Sequence, residues 1–277
     1  MTPDQYCQQR AAQSGSSFYY SFLFLPPERR RAITALYAFC REVDDTVDEP
    51  GDPGVAKTKL AWWREEVGRL FAGTPQHPVT RALRPSLTAF GLLEQHLAEI
   101  LDGMAMDLDQ NRYSEFAGLS LYCHRVAGVV GLLAAQIFGY ANPRTKEYAE
   151  KLGLGFQLTN IIRDVGEDAR KNRIYLPLDE MRRFKVDASD ILNRRHTEGF
   201  SRLMEFQAER ADRYCVEALA ALPPEDRRSQ RPGLVMAAIY RRLLEQIRHG
   251  GYRVLDQRTS LTPASKFWLA CKTWVTA

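Results

Sequence analysis

The stretch NIIRDVGED, residues 160–168, places three oxygen-bearing side chains at regular intervals. Asn160, Asp164 and Asp168 follow one another four residues apart, so on an α-helix they lie along one side. The residues between them are largely apolar, which is typical of a helix that is partly buried. Carboxylates near an apolar core are costly unless a cation neutralises them. The stretch therefore predicts a buried helix with one acidic side that faces a cation.

A second acidic stretch, REVDDTVDE at residues 41–49, repeats this spacing. Asp44 and Asp48 share one helix face, and Asp45 flanks it. Like charges four residues apart destabilise a helix by about 0.2–0.5 kcal/mol, so two matched sets in apolar helices indicate a function. Oxygen ligands favour a hard ion, and Mg²⁺ commonly combines one or two carboxylates with water and substrate phosphate. The predicted ligands of Mg²⁺, with Mn²⁺ as an alternative, are Asp44, Asp45, Asp48, Asn160, Asp164 and Asp168.

The hydrophobic spacing is helical along nearly the whole chain. Besides a helix over residues 31–47, the pattern predicts helices at about 53–71, 78–90, 94–110, 114–139, 144–169, 198–221, 233–255 and 262–274. Pro, Gly and Asn separate these segments. The run Ile174-Tyr175-Leu176 is β-prone but short. No linker divides the chain, so the sequence predicts a single all-α domain over residues 1–277 with about ten helices.

Composition excludes several classes of protein. The 277 residues include 38 Lys and Arg against 34 Asp and Glu, a net charge of +4. This charge is too small for a dedicated nucleic-acid binder. A hydrophobic fraction of 45% excludes wholesale disorder. Five scattered cysteines without a CxxC pair and a polar N-terminus without a signal-peptide core predict a cytoplasmic location.

Two apolar segments bear on membrane contact. Residues 126–140 form the longest apolar stretch, which is shorter than the roughly 20 residues of a spanning helix, so we interpret it as a buried core helix. The C-terminal segment Phe267-Trp268-Leu269, together with Trp274, could contact a membrane surface peripherally. Packing of this last helix on the core is the favoured interpretation.

Two other kinds of site are not supported by the sequence. A di-iron carboxylate bundle uses Glu-x-x-His on its helices, and none of the five histidines has Glu three positions before it. A dinucleotide site would need a third glycine after Gly153-Leu154-Gly155 and a preceding strand, and both are missing.

The acidic stretches DDTVD and NIIRDVGED resemble the paired aspartate-rich motifs of the squalene/phytoene synthase family. Other segments similar to the family are SGSSFY (14–19), YAFCR (37–41), LYCHRVAG (121–128), GFQLTN (155–160) and RIYLP (173–177). The resemblance runs from about residue 4 to residue 270. Residues 14–27 and 255–263 are most similar to a bacterial subgroup, the presqualene diphosphate synthases of hopanoid-type squalene biosynthesis.

The resemblance implies the isoprenoid synthase helical bundle, with the two motifs facing each other across a central cavity. It implies head-to-head condensation of two farnesyl diphosphates to presqualene diphosphate through an allylic cation, without NADPH. Alternatives are a phytoene, dehydrosqualene or squalene synthase, a terpene cyclase, or a non-catalytic relative that acts as an assembly module. Implied partners are farnesyl diphosphate and downstream enzymes of the squalene pathway.

The resemblance also implies roles for individual residues. Arg41 and Arg258 are expected to clamp phosphate, because the guanidinium fork matches phosphate oxygens. Aromatic rings are expected to shield the cation in a dry pocket. The implied catalytic residues are Asp44, Asp48, Asp164, Asp168 and Arg41. The implied substrate contacts are Ser16, Ser17, Phe18, Tyr37, Tyr122, Gln157, Arg163, Tyr240 and Arg258.

Overall fold

The computed structural model of the chain describes residues 1–13, 17–48 and 52–277, without the side chains of Ser17 and Tyr19. The helices in these ranges are α1 (Pro3–Gln13), α2 (Ser17–Phe22), α3 (Pro27–Asp48), α4 (Pro53–Phe71), α5 (Pro78–Phe90), α6 (Glu94–Asp109), α7 (Phe116–Cys123), α8 (Val129–Phe138), α9 (Thr145–Arg170), α10 (Leu178–Arg183), α11 (Ala188–Leu192), α12 (Glu198–Ala221), α13 (Arg231–His249) and α14 (Pro263–Thr276). These ranges contain no strand, only one isolated bridge between Arg112 and Ile174. The all-α prediction is confirmed.

Local signals set the ends of several helices. Asp52 caps α4 by accepting a hydrogen bond from the Gly54 amide, and Thr197 caps α12 through the Phe200 amide. Such side-chain acceptors satisfy amides that have no partner within the helix. The helix predicted over 233–255 instead ends at His249, because Gly251 adopts φ 65°.

The helix predicted over 114–139 is interrupted. A π-helical turn, His124–Gly128, separates α7 from α8, and such turns are frequent at functional sites. The turn packs closely against two neighbouring helices at glycines. A Cβ at Gly103 would lie 2.6 Å from Val126 Cγ1, and one at Gly153 would lie 2.3 Å from the Ala127 carbonyl oxygen. The sequence pattern does not reveal the π-helical turn, because the apolar spacing continues through it.

The helices form two groups, each around one of the acidic stretches. Helix α3, which carries the first stretch, packs against α1, α4, α5 and α6, whereas α9, which carries the second, packs against α7, α12 and α13. Helix α8 contacts both α3 and α9. The two acidic helices are therefore the central members of their groups, and the space between the groups is available for a ligand.

The segment Phe116–Phe138 is long and apolar enough to span a membrane by length and composition alone. Its side chains are used in the protein interior, since Leu119 belongs to the core around α9 and Leu133 and Ile137 belong to the core around α3. Its apolar character therefore has an explanation in core packing.

Candidate active site

A largely apolar cavity with about 170 Å³ of free volume lies between α3 and α9. Five residues predicted to bind substrate or metal line it, namely Phe18, Tyr37, Gln157, Asn160 and Tyr240. The ring of Phe18 lies 5.7 Å from that of Tyr37. The fold thus gathers aromatic and amide side chains from distant parts of the sequence around one apolar space.

The cavity has a polar end and an apolar end. Asn160 and Tyr148 both line it and lie twelve residues apart on α9, which corresponds to about 18 Å along a helix. Asn160 is the first of the three residues on the acidic side of α9, so the cavity is polar at Asn160 and Tyr148 lies at its opposite, apolar end. Phe22 and Phe138 are further buried rings in the wall. No carboxylate lines the described cavity, and the acidic residues of α9 continue beyond Asn160 at its polar end.

The first acidic stretch is held by arginines. Arg41 Nη1 lies 2.8 Å from Asp44 Oδ2, and Arg41 Nη2 lies 2.6 Å from Asp45 Oδ1. The other oxygen of Asp45 accepts a hydrogen bond of 2.5 Å from Arg10 Nη2. Both oxygens of Asp45 are thus paired with cations, which favours ion pairing over the metal ligation expected from the sequence. Burial and the neighbouring Asp48 raise the pKa of Asp44 to about 7.

Asp48 links the two acidic stretches in space. Arg173 Nη1 lies 2.6 Å from Asp48 Oδ1, and Lys171 Nζ lies 3.2 Å from Asp48 Oδ2. Arg173 also donates a 3.0 Å hydrogen bond to the Val47 carbonyl. Because Lys171 and Arg173 directly follow α9, the end of the second acidic stretch lies against the end of the first.

The two carboxylates of the second stretch have opposite environments. Asp164 accepts hydrogen bonds of 2.8 Å from both Arg163 Nε and Arg258 Nε. Burial alone would raise the pKa of Asp164, but these two arginines lower it below the usual value. Burial, followed by repulsion from Asp164 and Asp48, raises the pKa of Asp168 to about 8. Negative charge at Asp168 is therefore poorly compensated by the protein.

The donor set fits a divalent cation that is shared with a phosphate group. Among the described residues, no three acidic, His or Cys side chains converge closely enough to hold a metal ion unaided. The Asn160 Oδ1 atom is buried and accepts no well-formed hydrogen bond from the described residues. The raised pKa values of Asp44 and Asp168 point to excess negative charge at the same end. Mg²⁺ matches such a set, because it usually takes few protein ligands and completes its shell with water and phosphate oxygens.

Asp107, a residue that the sequence reasoning missed, lies near both acidic stretches. Its carboxylate on α6 accepts hydrogen bonds of 2.8 Å from the Tyr122 hydroxyl and 2.7 Å from the Tyr175 hydroxyl. Burial raises its pKa to about 6. The ring of Tyr122 also packs against the rings of Tyr113 and Tyr175. Tyr122, which was expected to contact substrate, does not line the cavity. No spacing rule marks Asp107, because its partners come from other helices and loops.

The remaining predicted substrate contacts have varied positions. Arg163 and Arg258 both pair with Asp164, and Arg258 Nε also lies 3.4 Å from Glu167 Oε2. Ser16 and the side chain of Ser17 lie outside the described part of the chain, so their predicted contacts stay predictions. The described arginines that pair with the predicted metal ligands include Arg41, Arg163 and Arg258, all three of which were expected to contact substrate.

The described residues form an all-α bundle with two aspartate-bearing helices beside an apolar cavity, which is the architecture of isoprenoid synthases. The squalene/phytoene synthase family profile matches residues 11–265, so the chain belongs to that family. Members of this family join two isoprenyl diphosphates head to head. The expected family and fold are therefore confirmed.

Individual relatives carry different names within the family. A phytoene synthase from Arthrospira platensis is 40% identical over 268 residues, covering 91% of this chain and 86% of that protein. A 15-cis-phytoene synthase from Synechocystis is 34% identical over 283 residues, covering 98% and 84%. Among solved structures, a ligand complex of a dehydrosqualene synthase superposes with a TM-score of 0.88 at 28% identity, covering 99% of this chain and 96% of that one. A squalene synthase from Alicyclobacillus acidocaldarius gives 0.79 at 27% identity, covering 90% and 94%.

Proposed function

We propose that this protein is a presqualene diphosphate synthase, which joins two farnesyl diphosphates and releases one diphosphate. The observation that carries the condensation chemistry is the apolar cavity whose Asn160 end adjoins the acidic, arginine-paired segment of α9. In the reaction, the C1–O bond of one farnesyl diphosphate breaks and its electron pair leaves with the diphosphate. The double bond of the second molecule attacks the allylic cation, and loss of a proton closes the cyclopropane ring.

The acidic end supplies the groups that this ionisation needs. Bound Mg²⁺ would neutralise the leaving diphosphate. The residues that would hold the Mg²⁺ are Asp44, Asp48, Asn160, Asp164 and Asp168. Arg41 would donate a hydrogen bond to a phosphate oxygen in place of Asp44, and Arg163 and Arg258 would do so in place of Asp164. Charge-assisted hydrogen bonds of this kind are about twice as strong as neutral ones.

The rest of the cavity suits the cationic intermediate. Its lining is largely apolar, which excludes the water that would otherwise capture the cation. Tyr37 and Phe18 present rings on one side, and Tyr240 stacks on Phe156 with centroids 4.3 Å apart on another. Aromatic faces attract cations through their negative quadrupole. The same arrangement would serve any head-to-head condensation of isoprenyl diphosphates.

The choice of product rests on narrower observations. The subgroup resemblance of residues 14–27 and 255–263 supports presqualene diphosphate, and the lack of a dinucleotide motif supports a reaction without NADPH. Phytoene synthesis from two geranylgeranyl diphosphates is the second candidate, because the relatives at 34–40% identity are phytoene synthases. The two candidates differ in the length of the chain that the cavity must hold.

The product assay separates these candidates. The purified protein is incubated with Mg²⁺ and either farnesyl or geranylgeranyl diphosphate, each with and without NADPH, and the products are identified by mass spectrometry. We expect presqualene diphosphate from farnesyl diphosphate under both redox conditions. Preferred conversion of geranylgeranyl diphosphate to phytoene, or NADPH-dependent squalene formation, would contradict the proposal. Phe138→Ala, which removes a ring from the cavity wall, should raise the rate with geranylgeranyl diphosphate relative to the rate with farnesyl diphosphate.

We also propose that the protein works peripherally at the cytoplasmic face of a membrane. The outer face of α14 exposes Phe267 and Trp268, which are 50% and 59% accessible, while its inner face packs Ala270 in the core. Helix α14 has no acidic residue, and Lys272 lies 5.0 Å from the Trp268 ring. Apolar rings beside basic groups suit an anionic lipid surface, and such contact would shorten the path of an apolar product to downstream enzymes.

Vesicle binding tests this location independently of the product. The protein should sediment with vesicles that contain phosphatidylglycerol more than with pure phosphatidylcholine vesicles. Trp268→Ser should weaken binding, whereas Val216→Ser, at a 47% exposed position on α12, should leave it unchanged. Equal vesicle binding by both variants and the wild type would show that α14 does not contact the membrane.

A further inference from the structure

Arg10, on the first helix of the chain, contacts two carboxylates of α3. Its Nη2 atom donates a hydrogen bond of 2.5 Å to Asp45 Oδ2, and its Nε atom lies 2.7 Å from Glu42 Oε1. The Tyr6 hydroxyl donates a 2.7 Å hydrogen bond to the same Glu42 oxygen. Helix α1 is thus fastened by polar contacts to the same turns of α3 that carry the first acidic motif.

Asp45 contacts both Arg10 and Arg41. One Asp45 oxygen accepts from Arg10, and the other lies 2.6 Å from Arg41 Nη2. The second terminal nitrogen of Arg41, Nη1, points to Asp44, at 2.8 Å. Arg41 therefore has one nitrogen fixed on the side that faces α1 and the other directed to a predicted metal ligand.

We propose that Arg10 and Asp45 are positioning residues that hold the Arg41 guanidinium in place for the substrate diphosphate. The inference rests on the role of Arg41 in the proposed function. When a cation and diphosphate engage Asp44, Arg41 Nη1 loses that partner and turns to a phosphate oxygen. The contact between Nη2 and Asp45 keeps the rest of the side chain in place, and Arg10 keeps Asp45 from turning away.

The physical gain is preorganisation. An arginine side chain has several rotatable bonds, and ordering it during binding lowers affinity. A carboxylate that is already oriented by a second arginine supplies this order in advance. Without Arg10, one oxygen of Asp45 loses its partner, and Asp45 can rotate toward water and take Arg41 with it. The side chains of Arg10, Arg41 and Asp45 are 30%, 39% and 26% exposed, so the groups are neither fully solvated nor fully locked by packing.

A purely structural role for Arg10 makes a different prediction. Partly exposed ion pairs contribute little to stability as a rule, so Arg10 would only help to dock α1. Its removal would then lower the melting temperature slightly and leave diphosphate binding unchanged. The positioning role requires weaker diphosphate binding through Arg41 alone.

The test is a double-mutant cycle with inorganic pyrophosphate as the probe. Mg²⁺-dependent pyrophosphate binding is measured by calorimetry on the wild type, Arg10→Met, Arg41→Lys and the double variant. We expect Arg10→Met to weaken binding at least about threefold in the wild-type background and to have almost no effect when Arg41 is already Lys, because interacting residues are non-additive. Arg10→Lys, which keeps the charge but not the fork, should restore part of the affinity.

A matched control is available between α4 and α6. Arg64 Nη2 lies 2.6 Å from Asp102 Oδ1, so Arg64→Met removes a comparable ion pair that involves none of the predicted metal ligands and should leave pyrophosphate binding unchanged. Equal losses from Arg10→Met in both Arg41 backgrounds, or no loss in either, would overturn the proposal. If Arg10→Met folds poorly, Asp45→Asn is used in the same cycle with the same expectation. Because pyrophosphate binding needs no turnover, an unexpected product in the enzyme assay would not affect this result.

Discussion

The two acidic stretches share a spacing but differ in how the protein compensates their charge. On α3, Asp44, Asp45 and Asp48 each have a cation within ion-pair distance. On α9, Asp164 has two arginines, whereas Asp168 forms no ion pair with a described residue and has its pKa raised to about 8. Equal patterns in the sequence have therefore become unequal electrostatic environments in the fold.

This difference indicates where a cation is most needed. Paired carboxylates are already stabilised, so a cation that binds them must displace an arginine. An unpaired carboxylate crowded by Asp164 and Asp48 gains most from a metal ion. The displaced arginines remain close by, and a substrate phosphate can take the place of the carboxylates that they lose. In the proposed complex, the same groups would form different combinations from those in the free protein.

The largest expected effect is the loss of turnover when divalent cations are removed. Both stretches would then keep their arginine partners and could not neutralise the leaving diphosphate. The measurement is product formation after EDTA treatment and desalting, followed by addition of Mg²⁺ or Mn²⁺. Either ion should restore activity, and a sample desalted without EDTA is the control. Full turnover of the EDTA-treated protein would show that neither stretch serves a metal.

Substitution of one carboxylate from each stretch tests whether both are needed. Asp48→Ala and Asp164→Ala should each reduce turnover by more than about 1,000-fold, or about 4 kcal/mol of activation free energy. Steady-state rates are compared at matched helicity, with Asp102→Ala as a control carboxylate. A wild-type rate for Asp48→Ala with loss only for Asp164→Ala would assign the cation to α9 alone.

A smaller effect is expected for Arg41→Lys, which keeps the charge and removes the fork. An arginine that pairs only with Asp44 would contribute about 0.2–0.5 kcal/mol. A diphosphate clamp should instead lose at least about tenfold in kcat/KM, or about 1.4 kcal/mol. Steady-state kinetics beside a thermal melt separate the two roles. Near-normal kinetics would show that Arg41 does not clamp the diphosphate.

The smallest effects are changes in the melting temperature of the metal-free protein, and they should have opposite signs within α9. The pKa of Asp168 is raised to about 8, so its ionisation destabilises the fold as the pH rises from about 4. Asp168→Asn should therefore raise the melting temperature at pH 8 by at least about 2 °C, with no difference near pH 4.

Asp164 has a lowered pKa, so its stabilising contribution is present at neutral pH and is lost as the pH falls below the usual carboxyl range. Asp164→Asn should lower the melting temperature at pH 7, and this difference should shrink at low pH. Thermal melts at several pH values in EDTA would measure both variants. Shifts of the same sign would contradict the contrast between the two carboxylates.

Several features were predictable because they depend on periodicity along a single helix. The shared face of Asp44 and Asp48, and the stripe that begins at Asn160, follow from a repeat of 3.6 residues per turn. The long helices α3 and α9 follow from apolar spacing of the same period. The short helices α10 and α11 were missed, because six and five residues do not establish a period.

Other features depend on side chains that are distant in the sequence. The ion pair between Asp48 and Arg173 spans 125 positions, and the hydrogen bond between Asp107 and Tyr175 spans 68. No local pattern encodes either contact. The environment of Asp45 likewise depends on Arg10, which belongs to a different helix.

By itself, the sequence determined the all-α class, the family and the two acidic helix faces, because helical periodicity and residue type are local properties. Only the tertiary structure decided which carboxylate is paired, which has its pKa raised and which aromatic rings line the cavity. These properties arise from burial and from charges on neighbouring helices, and Coulomb interactions depend on distance in space rather than on separation along the chain.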